Sequence, residues 1–328
     1  MKFLEEKLKK IKKNTYKKAD FIIADAKDAD MGFGIYGTGT KLFKKKNLKK
    51  PLAYDEYIKK IVKMTKTNLV DIMLMSASGA EITHNLKLFN KSKVTPAIRF
   101  NDSSDIWELR YGNYSKYHGM PFRTARLEIV KKFCKLGLYA ITFSNNRDAD
   151  IFTLDCYRNF RIDAEKNNLN HFLEVFNPKI SIGLDRKEIG SYINDCIIKT
   201  LAGVTSKDRP KFLKIVYNGK AALEELATYD PINLIVGILG GSKGTNRDTF
   251  ELIKQSSDYG AKIALFGRKI NSAEDPIKLV RLMKSVVNDE ISSKEAVKVY
   301  HAHLKKNKIL SERSLKKDLE ITQENLKD

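Results

Sequence analysis

The chain has 328 residues, of which 42% are hydrophobic and 31% charged, enough for one large α/β domain or two smaller ones. No run of about 18 apolar residues occurs, so no transmembrane helix is expected. The formal net charge of +21 raises nucleic acid as a partner, but the excess is mostly lysine spread along the chain. The densest patch, 41–50, is short, and no zinc-finger spacing, Gly-x-x-Gly clamp or RNP strand accompanies it, which disfavours nucleic-acid binding.

The first 18 residues alternate charges with a few apolar positions. They lack the continuous apolar stretch of a secretory signal and predict an amphipathic helix. Three cysteines are widely spaced, in no metal-like pattern, and reduced thiols in a cytoplasmic protein explain them most simply. The five histidines show no ligand spacing either, so we expect neither a metal nor a cofactor.

Eight short apolar runs bounded by turn residues predict strands. They lie at 21–25, 71–76, 95–100, 138–144, 171–176, 212–217, 232–239 and 262–267. Helical periodicity appears between them, at 123–137, 187–203 and 246–260, and the last two segments end at glycines that can stop a helix. Repeated alternation of strand and helix in a chain of this length favours a (β/α)₈ TIM barrel.

A doubly wound open sheet is the main competitor, but no Gly-x-Gly-x-x-Gly follows the first strand, so we prefer the barrel. The barrel and the N-terminal helix are predicted to occupy residues 1–290. A helical extension, frayed at its end, is expected over 291–328. The long segments 26–56 and 101–122 are predicted loops at the active-site face, and the aromatic residues of the second make it a candidate lid.

In such a barrel, inward-facing residues near the carboxyl ends of the strands line the active site. Five polar side chains are predicted there: Asp25, Arg99, Glu174, Lys214 and Arg268. Lys214 stands inside an apolar run, where an ammonium without a partner is costly. Glu174 lies on the adjacent predicted strand, so the two side chains could form a buried ion pair that only neutralises itself.

A second chemistry is open to a lysine in an apolar strand. Desolvation or a nearby cation favours the neutral amine, which can attack a carbonyl group. The iminium that results is an electron sink and permits cleavage of a neighbouring carbon–carbon bond. A carboxylate must then move protons, and Asp25 and Glu174 are both candidates.

Two glycine turns follow the last two predicted strands. Gly240 and Gly241 lie between the seventh strand and a helix, and Gly267 and Arg268 follow the eighth. Small residues let backbone amides approach an anion, and an arginine can hold it. Barrels commonly bind phosphate at these two loops, so we favour a phosphate site over ordinary turn glycines and a surface arginine.

The segment 240–283 resembles the C-terminal part of archaeal-type class I fructose-bisphosphate aldolases, which share a barrel superfamily with deoxyribose-phosphate and tagatose-bisphosphate aldolases. The shared elements are the Gly-Gly-Ser-Lys turn at 240–243, Gly-Arg-x-Ile at 267–270 and Glu-Asp-Pro at 274–276. The resemblance implies that Lys214 is the Schiff-base lysine, Glu174 the glutamate of the tagatose-bisphosphate branch and Asp25 the first-strand aspartate. The predicted phosphate ligands are the turn residues Gly240, Gly241, Ser242, Gly267 and Arg268, and Arg99, at its predicted strand end, is a further candidate for binding the substrate.

The predicted function is therefore a metal-independent class I aldolase that acts through a lysine Schiff base on a phosphorylated or otherwise anionic ketose. The family follows its first-strand aspartate with His-Gly or Gln-Arg, whereas Ala26 and Lys27 follow Asp25. Lys27 is then either a further phosphate ligand or solvent-exposed. This departure supports the alternative of an altered barrel that binds sugar phosphates as a sensor or structural partner. Assembly into a homo-oligomer is expected by analogy alone.

Overall fold

The computed structural model describes residues 1–43 and 48–327. Residues 44–47, inside the lysine-rich segment 41–50, therefore lie outside the described residues. In the described part, eight parallel strands form a closed barrel, which confirms the predicted (β/α)₈ fold. The strands are β1 Ile22–Lys27, β2 Ile72–Met75, β3 Thr95–Arg99, β4 Leu136–Thr142, β5 Asn170–Phe176, β6 Leu213–Ile215, β7 Gly237–Leu239 and β8 Ile263–Phe266.

Helices surround the barrel and extend beyond it. Their bounds are α1 Phe3–Lys12, α2 Ala29–Phe33, α3 Tyr54–Lys66, α4 Ala77–Asn85, α5 Leu127–Val130, α6 Arg147–Lys166, α7 Arg186–Ala202, α8 Lys220–Tyr229, α9 Asn246–Asp258, α10 Arg268–Asn271, α11 Pro276–Val287, α12 Ser293–Lys306 and α13 Leu315–Asp318. Throughout the described chain, none of these helices has the length and apolar character needed to span a membrane. Two short antiparallel ribbons, Thr40–Phe43 with Leu48–Pro51 and Asp102–Ser103 with Pro121–Phe122, stand in the two long loops.

Successive side chains of a strand point to opposite faces, and here each face has its own apolar layer. Ile22, Ala24 and Ala26 of β1 belong to the layer that fills the barrel interior. Ile23 belongs to the layer between the strands and the helices. This alternation decides which polar side chains reach the mouth of the barrel.

Helix α1 closes the amino-terminal end of the barrel, as an amphipathic helix with one apolar face can do. Its Leu4 and Ile11 join the interior apolar layer. Its Lys7 lies 2.7 Å from the buried carboxylate of Asp71, which also accepts a hydrogen bond from the Ile23 amide at 2.8 Å. The predicted N-terminal helix is thus present, and it leaves the opposite end of the barrel open.

The C-terminal extension is tied to the barrel over its described length, contrary to the expected frayed end. Buried Asp318 accepts hydrogen bonds from the backbone amide and side-chain amide of Asn246, at 2.8 and 2.6 Å, where α9 begins. His301 Nε2 lies 2.8 Å from the same carboxylate. Further along, the side-chain amide of Asn325 donates to the Tyr217 carbonyl oxygen at 2.9 Å.

Replacing Asp318 with alanine should lower the free energy of unfolding by about 1–3 kcal/mol, because buried donors lose their acceptor. Urea unfolding followed by circular dichroism measures the change. Asp155→Ala, at an exposed position of α6, is the matched control and should change stability little. Equal stability of the two variants would contradict a tail held by Asp318.

Candidate active site

A cavity of about 450 Å³ opens at the carboxyl end of the barrel strands. Eight of the ten predicted site residues line it: Arg99, Glu174, Lys214, Gly240, Gly241, Ser242, Gly267 and Arg268. A larger cleft of about 620 Å³ lies outside the barrel between α3 and α4, but none of the predicted residues lines it. The cavity at the barrel mouth is therefore the candidate active site.

Lys214 and Glu174 form an ion pair inside the barrel. They are direct neighbours in the register of β6 and β5, so their side chains leave the sheet on the same face. Lys214 Nζ lies 2.6 Å from Glu174 Oε1, and the side chains are only 7% and 1% exposed. The apolar residues beside Lys214 face the helices, which explains a lysine inside a hydrophobic run.

Arg99 lies at the end of β3 and binds two carboxylates that the sequence analysis missed. Its guanidinium donates to Asp28 at 3.0 Å and to Asp102 at 2.6 Å. It also lies 3.9 Å from Glu174 Oε2, the oxygen that Lys214 does not contact. Three carboxylates thus share two buried cations at the mouth.

Burial and charge act against each other in this cluster. Burial disfavours the charged guanidinium, but Asp102, Asp28 and Glu174 outweigh it, so the pKa of Arg99 lies above its ordinary value. Burial also raises the pKa of Asp102 to about 6, although Arg99 opposes that shift. The Asp102 carboxyl group in this cluster therefore holds its proton more strongly than an ordinary aspartate does.

Asp25 and Lys27 do not line the cavity, and the inward orientation expected for Asp25 is not observed. Ala26 lines it instead, and its two neighbours on β1 point to the helix layer. Asp25 and Lys27 are 0% and 3% exposed and form an ion pair with each other there. Burial raises the pKa of Asp25 against the opposing effect of Lys27. Lys27 is thus neither solvent-exposed nor in contact with the cavity.

Asp28 is the first-strand carboxylate that does reach the mouth. It follows the last residue of β1, lines the cavity and accepts the hydrogen bond from Arg99. Asp102 lies just past the end of β3. A search for acidic residues in the first three positions after each strand would have found both.

The two glycine turns follow β7, the strand next to that of Lys214, and β8, and they line the same cavity. Gly241 has a φ of +64°, a backbone conformation that favours glycine. A Cβ on Gly267 would lie 3.1 Å from the Ala26 carbonyl oxygen, so the β8 turn packs directly on β1. Arg268 is half exposed, and its guanidinium lies 4.9 Å from the centre of the Phe33 ring.

The long loop after β3 supplies the rim of the cavity. Its Glu108 accepts a hydrogen bond from Lys179 at 3.0 Å and lies 3.9 Å from Arg268. Trp107 fixes the loop by donating to the Met31 carbonyl oxygen at 2.9 Å, and its ring packs on Phe122 with centroids 5.0 Å apart. The loop therefore lies at the active-site face, as predicted, and two cations meet at its edge.

No model of a known protein family matches the chain. It is 21% identical over 201 residues to an uncharacterised aldolase of Saccharolobus solfataricus. The matched segment covers 60% of this chain and 71% of that protein. The fructose-bisphosphate aldolase of Slackia heliotrinireducens superimposes with a TM-score of 0.63 and 13% identity, covering 90% of this chain and 91% of that one. The fold is that of the class I aldolases.

Two archaeal structures agree. A fructose 1,6-bisphosphate aldolase superimposes with a TM-score of 0.61 and 14% identity, over 85% of this chain and 98% of that one. A second archaeal fructose-1,6-bisphosphate aldolase has its catalytic lysine bound to the carbinolamine intermediate of the substrate. It superimposes with a TM-score of 0.59 and 16% identity, over 85% of this chain and 99% of that one. The described residues contain no group of three or more His, Cys, Asp or Glu side chains placed to hold a metal ion.

Arg99→Met should destabilise the aldolase-like fold at pH 8 by about 3–5 kcal/mol, because the carboxylates lose their shared cation. Without the cation the pKa of Asp102 rises further, and the added cost in stability builds up between its old and its new pKa and is complete only above the new one. The deficit should therefore shrink as the pH falls through about 6, where Asp102 already titrates in the intact protein.

Denaturant unfolding at pH 5 and pH 8 tests this prediction. Arg158→Met, at a position 62% exposed on α6, is the control and should show little loss at either pH. A deficit that is the same at both pH values would contradict the charge-balancing role of Arg99.

Proposed function

We propose that the protein is a class I aldolase that cleaves or forms a carbon–carbon bond through an imine on Lys214, with a phosphorylated or otherwise anionic ketose as substrate. The observation that carries the proposal is the Lys214–Glu174 pair, with 2.6 Å between Nζ and Oε1, in a cavity that also holds two glycine turns. An anion held at the turns would keep a ketose in the same cavity as the lysine.

Glu174 can remove the obstacle to nucleophilic attack. An ammonium has no lone pair, so Lys214 must lose a proton before it attacks a carbonyl carbon. Glu174 Oε1 is within hydrogen-bond reach and can accept that proton. The same carboxyl group can return it to the carbinolamine oxygen, which leaves as water when the iminium forms.

A second carboxylate is needed when the carbon–carbon bond breaks. The bonding electrons move toward the iminium nitrogen, and the hydroxyl of the departing carbon must lose its proton to a base. Asp28 lines the cavity and is bonded to Arg99, so we assign it the role predicted for Asp25. Arg99 stabilises the carboxylates in this scheme, since three of its five N–H groups bind protein oxygens.

The anionic end of the substrate is assigned to the glycine turns and Arg268. Gly240, Gly241, Ser242 and Gly267 line one side of the cavity, and Arg268 stands at its edge. Lys179 adds a second cation at the rim and shares Glu108 with the arginine. A phosphate that displaces Glu108 from these cations would gain charge-assisted hydrogen bonds.

A barrel that binds sugar phosphates without turnover is the second candidate. The observation in its favour is that Asp25 and Lys27 face away from the cavity, so the position after the first strand departs from the aldolase pattern. Thermal stabilisation by ketose phosphates without carbon–carbon cleavage would favour this candidate.

Lys214→Met should abolish turnover and covalent trapping because the attacking amine is removed. An apolar side chain of similar size keeps the packing, although Glu174 loses its charge partner and stability falls. Borohydride reduction with a ketose phosphate, followed by intact-mass and peptide mass spectrometry, measures the adduct. Lys262→Met is the matched control, since that amine lies 4.6 Å from the Tyr16 ring, outside the mouth cavity. An adduct that persists in Lys214→Met would disprove the imine assignment.

Asp28→Asn and Asp25→Asn separate the two first-strand carboxylates. Asp28→Asn should lower kcat by about 10²–10⁴ because it removes a proton acceptor at the mouth. Asp25→Asn should lower stability by leaving Lys27 without its charge partner, and the kcat of the folded fraction should change little. The opposite pattern would restore Asp25 to the catalytic role.

A further inference from the structure

Lys269 is a buried amine that neither the ion pair nor the cavity lining uses. It is the second residue of α10 and directly follows Arg268 of the β8 turn. Its side chain is 2% exposed, and its amine donates to the Lys243 carbonyl oxygen, 3.3 Å away. Lys243 belongs to the β7 turn, so this bond joins the two glycine turns from behind.

The β7 turn is also held from its other side. Asp248 of α9 accepts a hydrogen bond from the Thr245 amide at 2.9 Å. The same carboxylate accepts from the Thr322 amide at 2.7 Å, in the C-terminal extension. A Cβ on Gly244 would lie 2.5 Å from Asp248 Oδ2, so the turn is pressed against these groups. Lys269 is thus one of several anchors, and it carries a charge.

Burial and the neighbouring charges have opposing effects on the protonation of Lys269. Burial lowers the pKa of Lys269 to about 8, with Asp248 opposing the shift and Arg268 adding to it. The amine of Lys243 is occupied by Glu312, 2.6 Å away. An anion placed near such a group would favour its charged form.

The remaining charged neighbours of α10 come from α3 and β1. Lys60 of α3 reaches the carbonyl oxygen of Asn271 at 3.3 Å, at the far end of the helix. On β1, Asp25 and Lys27 neutralise each other. Among the described residues, Asp248 is therefore the negative group that acts on Lys269, and its oxygens already accept other hydrogen bonds.

We propose that Lys269 is a positioning residue for the anion site, which fixes the β7 turn through the Lys243 carbonyl and takes up a proton when a phosphate monoester binds between the turns. The proposal rests on the proposed function only in that the turns bind an anion, and it does not require an imine. By linkage, a bound dianion raises the proton affinity of Lys269, so binding consumes protons where the free amine is partly neutral. At pH 7 the amine is already charged and uptake should vanish.

Titration calorimetry with glycerol 3-phosphate tests this, because that phosphate monoester has no carbonyl group and cannot form an imine. Measurement in two buffers of different ionisation enthalpy, at pH 7 and pH 9, gives the number of protons taken up. A phosphate monoester has a second pKa near 6, so the ligand is a dianion at pH 9 and contributes no protons. The wild type should take up roughly half a proton at pH 9 and almost none at pH 7.

Lys269→Met should bind about tenfold more weakly at pH 7 and show no proton uptake at pH 9. Lys269→Arg keeps the charge at both pH values, so it should restore affinity while uptake stays absent. Lys284→Met is the matched control, since that partly buried lysine faces Asp71 and Lys7, near the closed end of the barrel, and it should behave as wild type.

Unchanged proton uptake in both Lys269 variants would overturn the role of Lys269. Absence of glycerol 3-phosphate binding by the wild type would overturn the anion site itself, and the role of Lys269 with it. Failure of borohydride trapping at Lys214, with phosphate binding and proton uptake intact, would end the aldolase proposal alone. If Lys269→Met does not fold, Lys269→Arg still decides, because it must bind without uptake.

Discussion

The contact between Lys214 and Glu174 constrains everything else at the barrel mouth. Two charges removed from water need close partners, and their desolvation is repaid only when the remaining lone pairs are also satisfied. The guanidinium of Arg99 lies 3.9 Å from the second oxygen of Glu174. Its positive charge is neutralised by ion pairs with Asp28 and Asp102. The polar centre is therefore one charge network, and its members respond to each other.

The strands could be predicted because apolar runs between turn residues are a local signal, and the barrel follows from their regular alternation with helices. Lys214 and Glu174 were recognised because a charge inside an apolar strand is an exception that needs a partner. The orientation of the first strand could not be predicted, for a physical reason. Both faces of β1 are apolar, since four consecutive residues, Phe21, Ile22, Ile23 and Ala24, are all buried. The sequence therefore does not reveal whether the odd-numbered or the even-numbered side chains point into the barrel.

The other omissions depend on contacts distant in the sequence. Nothing local distinguishes Asp28 or Asp102 from solvent-exposed loop carboxylates until Arg99 is placed between them. Lys269 resembles an ordinary basic residue after a turn, and only packing against the β7 turn buries it. The C-terminal extension has the composition of a solvated tail, yet its polar side chains find acceptors and donors on α9.

The contacts of the extension also set an order of events during protein synthesis. The backbone amide of Asn246 donates to Asp318, which lies 72 residues further along the chain. Asp248 accepts a hydrogen bond from Thr322, which lies 74 residues further along. Domains generally fold as units while the chain emerges, amino-terminal parts first. A nascent chain that has just completed β8 would already hold Lys214 and Glu174 in place, but its β7 turn would lack these distant supports. The Lys214–Glu174 pair is thus in place before the β7 turn gains its last supports.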